Sequence, residues 1–225
     1  MEENNYLVES FSNSIGADVA EFAGEALEFT LDACAGEDGI LKDIPFVGTA
    51  LKLCNITSKV HEKHSFYKLR VFINAINTGT ANPEELEKRK SKFLSNTSFR
   101  KQELEYILIL VDRYIGFEKP QMLAKLYLAY LDGSINWITF VKYAECIDRF
   151  LPGDQLMLDS TEIERAKYND NYDAVSRLEA LGLIGRKVEV TPTYHEKEQS
   201  LELQNTDEYS LTGFGWKLKQ ILENQ

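Results

Sequence analysis

Three histidines, three cysteines and a scatter of carboxylates are the groups in this 225-residue chain that could do chemistry. His61 and His64 stand three residues apart in His61-Glu62-Lys63-His64, a spacing that sets both imidazoles on one side of a helix. A zinc site needs three or four ligands and nothing nearby completes the set, so the pair reads as two surface histidines on a basic helix. Cys34, Cys54 and Cys146 are far apart, odd in number and set among apolar residues. That pattern describes buried, reduced thiols rather than a disulfide framework. Gly213-Phe214-Gly215 lacks a third glycine and follows no βαβ pattern, so it is expected to open a helix and not to cradle a phosphate. Gly-x-Ser-x-Gly, His-Glu-x-x-His and the Walker lysine loop are absent, and no base is identifiable beside a Ser or Cys nucleophile. The expectation is a non-enzymatic protein with no catalytic residues, no metal and no cofactor.

The remaining chemistry is that of surfaces. The most apolar window runs from Ile40 to Ile56, and within it Phe46, Val47, Ala50, Leu51 and Leu53 precede a basic run that includes Lys59, Lys63, Lys68 and Arg70. An apolar stretch too short to span a bilayer, followed by cations, has the layout of a helix that lies in a membrane interface or against a partner helix. These nine residues form the expected interaction face of segment 44–76. The competing reading makes them core, because proteins seldom leave a large apolar patch exposed.

Charge is unevenly distributed about a formal net of −11. Residues 1–40 hold ten acids and no Lys or Arg, residues 41–150 carry a net +5, and residues 151–225 a net −6. An acidic arm thus precedes a basic middle, either as two solvated surfaces or with the arm lying on the middle as an electrostatic cover. The overall balance disfavours nucleic acid as the partner of the whole surface.

The elements that would position these groups are mostly helices. Val8, Phe11, Ile15, Val19, Phe22, Ala26, Phe29 and Ala33 recur every three or four residues along the arm, until Gly36-Glu37-Asp38-Gly39 breaks the pattern. A helix is expected from about Pro45 toward Ile76, with proline harmless in its first turn. Further helices are expected over Pro83–Leu94, Ser98–Ile115, Lys119–Leu131 and Asn136–Phe150, separated by turn residues such as Asp132-Gly133-Ser134 and Pro152-Gly153. Their stripes, Leu104, Ile107, Leu108, Val111 and Ile115 in one and Leu123, Leu126, Tyr127 and Tyr130 in the next, are core positions.

From Tyr172 the rhythm changes. Ala174, Leu178, Leu181 and Leu183 pattern as a short helix, Val188 and Val190 alternate with Lys187, Glu189 and Thr191 as in a strand, and Leu201 and Leu203 alternate again before a last helix from about Gly213 to Leu222. Leu178-x-x-Leu181-Gly182-Leu183-Ile184, the two-stranded excursion, and Tyr209-x-Leu211-Thr212-x-x-Gly215-x-x-Leu218 resemble the end of winged-helix proteins, including many bacterial regulators. The resemblance implies that Leu181, Ile184, Tyr209, Leu211 and Leu218 pack together. The whole layout, with its Ile44-Pro45-Phe46-Val47-Gly48 segment, resembles bacterial proteins of the abortive-infection alpha type, which implies a role in phage exclusion.

A winged-helix unit invites DNA binding, for which the candidates are Arg177, Lys187 and Lys197. Asp170, Asp173 and Glu179 surround the single Arg177, and Glu196 and Glu198 flank Lys197, so carboxylates would face the phosphates. The reading is therefore a mainly α chain, with a helical region over 1–134 (acidic arm 1–40, basic middle 41–134) and a winged-helix-like region with a small β-wing over 135–225. Its expected partner is a protein or a membrane surface, with a homo-oligomer as a further option and a DNA-binding regulator as the alternative function. With no leader or 18-residue apolar run apparent, the expected location is cytoplasmic, or peripheral at the inner face of the membrane.

Overall fold

The computed structural model describes residues 6–15, 59–78, 91, 94–95, 97–159, 162–163, 172–195 and 200–223. The fold is mainly α, with a small two-stranded antiparallel sheet near the C-terminal end, as the amphipathic patterning predicts. The chain divides into two compact units, Met1–Asp148 and Arg149–Asn224.

The first unit contains α1 (Tyr6–Ser14), α2 (Lys59–Thr78), α3 (Thr97–Arg113), α4 (Glu118–Leu131) and α5, which spans Trp137–Arg149. Amphipathic helices form here because one face of each can leave water, and the expected stripes are indeed core. Leu104, Ile107, Leu108 and Val111 on α3 and Leu123, Leu126 and Tyr127 on α4 are buried, while Tyr130 is half-buried. Ile115 departs from the pattern. It lies past the end of α3 and is 87% exposed.

In α1 the expected residues Val8 and Phe11 are buried, as is Ile15 just beyond it, and so are Ser10, Ser12 and Ser14 between them. Buried hydroxyls need acceptors, and Ser14 Oγ donates to the Ser10 carbonyl at 2.8 Å while Ser10 Oγ donates to that of Leu7 at 3.3 Å. From α2, Asn77 Nδ2 donates to the Ser14 carbonyl at 3.1 Å, satisfying one of the acceptors that a helix end leaves open. The described part of the acidic arm is thus built into the core. Its continuation over 16–40 lies outside the described residues.

The second unit contains a 3₁₀ turn (Asp154–Leu158), α6 (Tyr172–Ala180), strands β1 (Ile184–His195) and β2 (Ser200–Leu211), and α7 (Gly213–Glu223). Gly182 ends α6 with φ 72°, a left-handed conformation that costs glycine little. The Gly182 N–H donates to the Glu179 carbonyl at 2.8 Å and that of Leu183 to Leu178 at 2.9 Å, the bonding of a glycine-terminated helix. The chain then enters β1, pairs with β2 from Ile184↔Leu211 out to His195↔Ser200, and returns to α7.

That return is tight. The Thr212 N–H donates to the Leu183 carbonyl at 3.0 Å, its Oγ1 donates to the Gly182 carbonyl at 2.7 Å, and the same Oγ1 accepts from the Gly215 N–H at 3.0 Å as the cap of α7. A Cβ on Gly215 would stand 2.0 Å from the Leu183 carbonyl oxygen, so only glycine lets α7 approach the start of β1 this closely. Of the five residues expected to pack together, Ile184 and Leu218 are buried, while Leu181, Tyr209 and Leu211 are half-buried. Leu178 and Leu183, at 0% exposure each, hold the central places instead.

Candidate interaction surface

Phe46, Val47, Ala50, Leu51 and Leu53, the apolar part of the expected face, lie outside the described residues. Lys59 and Lys63 fall in the first turns of α2, where the backbone alone is described. Arg70 is half-buried on the same helix. Over the rest of α2 the apolar side chains Phe66, Leu69, Phe72, Ile73 and Ile76 are core.

Lys68 is buried too, at 1% exposure. Its Nζ donates to the Asp112 carbonyl at 2.6 Å and to the Tyr114 carbonyl at 2.8 Å, where α3 ends. The last carbonyls of a helix lack intrahelical donors and carry partial negative charge, so a cation there satisfies both needs at once. Burial pushes the Lys68 ammonium below its ordinary pKa, against the opposing pull of Asp112. Ser65 Oγ donates to Asp112 Oδ1 at 2.7 Å, and His64 Nε2 lies 2.7 Å from the Ile115 carbonyl, so one row of α2 clamps the end of α3. The Lys68 charge faces backbone and not a bilayer.

A second buried polar group lies deeper in the same unit. Arg100 and Glu103, both on α3, pair in the interior, where Glu103 is 1% exposed. Tyr130 Oη donates to Glu103 and accepts from Arg100 Nη1 at 3.0 Å. Burial, then the hydrogen bond to Glu103, pushes the Tyr130 phenol up to about 12. Trp137 stacks on Phe140 at 4.8 Å and meets the Tyr130 ring at 5.4 Å, closing the cluster with aromatic surface. Arg100 and Glu103 are buried, whereas Tyr130 and Trp137 are half-buried. Sequence reasoning did not find this cluster: an Arg and a Glu three residues apart on a helix look like an ordinary surface pair until Tyr130 is brought over them.

In the second unit, Arg177 is held on three sides. Its Nε and Nη2 donate to the two oxygens of Asp154 at 3.0 and 2.8 Å, and its Nη1 donates to Asp173 at 3.1 Å. Asp154 is buried and also accepts from the Leu151 N–H at 2.8 Å. These carboxylates raise the guanidinium pKa further. Lys187 is exposed and paired with Glu189 on its own strand, while Lys197 lies outside the described residues. Arg186 donates to Asp207 at 2.7 Å.

The hairpin carries two of the exposed apolar side chains of this unit, beside Leu151, Leu156 and Trp216 elsewhere in it. Strand residues alternate between faces, so Ile184, Arg186, Val188 and Val190 share one face with their cross-strand partners Leu211, Tyr209, Asp207 and Asn205. Ile184 is buried, and Tyr172 of α6 covers Tyr209 with its ring edge-on at 5.7 Å and a 3.0 Å hydrogen bond between the hydroxyls. Farther out, Val188 is 49% and Val190 54% exposed. The backbone register continues through Pro192↔Leu203 and Tyr194↔Leu201. The opposite face carries Lys187, Glu189, Glu208 and Ser210.

Among the described residues no group of three His, Cys, Asp or Glu side chains is placed to hold a metal ion, and no helix is long and apolar enough to cross a membrane. Cys146 is buried and not in a disulfide, whereas Cys34 and Cys54 lie outside the described residues. No family model matches the chain, and neither a curated protein nor a solved structure shows significant similarity to it.

Proposed function

We propose that this chain is a non-enzymatic interaction protein, a helical body joined to a winged-helix-like unit that engages another protein through its hairpin. One observation carries the preference over a DNA reader. Arg177, the only basic residue of α6, is bonded to Asp154 and Asp173, so the helix that would enter the major groove presents carboxylates and no free cation. Phosphate contacts supply most of the affinity of DNA-binding proteins, and releasing Arg177 for one would leave a buried carboxylate unpaired. Arg186 and Lys187 are likewise neutralised by acids of the same hairpin.

The same reasoning favours a protein partner over a membrane surface. Lys68 caps α3 from inside, which removes one of the four cations that would meet anionic headgroups. A place in phage exclusion is consistent with the layout resemblance and would make the partner a component of the infected cell.

The test is an anisotropy titration of the full chain against labelled duplex DNA at low salt. Binding no tighter than nonspecific, with no change on Arg177→Ala, is expected. Tight binding with a steep salt slope that Arg177→Ala flattens would overturn the proposal. Phage plating on cells with and without the protein tests the defence role; equal plating across a panel of phages would remove it.

A further inference from the structure

We draw no further inference here: the strongest candidate, the aromatic surface patch where Phe99 and Tyr106 of α3 meet Trp137 of α5, carries none because nothing in the structure shows what covers it.

Discussion

Asp154 and Arg177 face each other fork to fork, joined by two hydrogen bonds with the carboxylate 3% exposed. Asp154 also accepts from the Leu151 N–H, so removing it breaks three hydrogen bonds at a buried carboxylate, which is costlier than losing an exposed bridge. Asp154→Ala is therefore expected to destabilise the second unit by about 2 to 3 kcal/mol, whereas Asp173→Ala, which breaks only the exposed bond, is expected to stay within about 0.5 kcal/mol. Trp137 and Trp216 are the only tryptophans and report on different units, so urea unfolding followed by Trp216 fluorescence in a Trp137→Phe background reads the effect directly.

Gly215→Ala should be among the most damaging single-methyl changes in the chain. The added carbon would meet the Leu183 backbone at 2.0 Å, forcing α7 away from the start of β1. A loss of about 3 kcal/mol or more is expected. Gly116→Ala, with nothing within 4 Å, is the matched control and should leave the melting midpoint nearly unchanged.

Lys68→Met keeps the aliphatic stem but leaves the Asp112 and Tyr114 carbonyls without their donor. A loss of about 1 to 3 kcal/mol in the first unit is expected, measured by denaturant unfolding with Trp137 as the probe. An unchanged midpoint would mean that water replaces the ammonium and that the end of α3 is free to serve another role.

Alkaline pH should unfold the first unit. Burial raises the phenols of Tyr130 and Tyr143 to about 12 and also pushes up those of Tyr106, Tyr114 and Tyr127. An unfolded chain releases these protons near pH ~10, so the folded state binds more of them above that point. Their contribution is complete below pH ~10 and is lost as pH rises toward the folded values. Tyrosinate absorbance should appear late and in step with loss of helical circular dichroism; early, gradual ionisation without unfolding would show that these rings are reached by solvent.

Much of the scaffold was legible because it follows from periodicity. The helix expected over Ser98–Ile115 is found at Thr97–Arg113, and that over Asn136–Phe150 at Trp137–Arg149, since apolar stripes and turn residues act locally. The hairpin was underestimated. β2 extends through Tyr209 and Leu211, which alone look like the approach to a helix, because pairing with Ile184 and Arg186 overrides local preference. Among leucines, the pattern marks Leu178 and Leu181 alike, yet Leu178 is buried and Leu181 half-buried. Leu178→Ala should therefore cost about 2 to 5 kcal/mol and Leu181→Ala clearly less, as thermal melts would show. The roles of Lys68, Asp154 and Glu103 were hidden for another reason. Each depends on a partner brought in by tertiary folding, and a lone charge in a sequence reads as surface.

The burial of α1 also governs how the molecule is made. Phe11 meets Tyr127 edge-on at 5.9 Å, so α1 leaves the ribosome well ahead of a partner more than a hundred residues behind it. At a synthesis rate of about 5 to 20 residues per second, that wait lasts roughly 6 to 20 s. Throughout it Phe11 lacks its Tyr127 partner, so the nascent chain carries an apolar segment that chaperones would have every reason to hold.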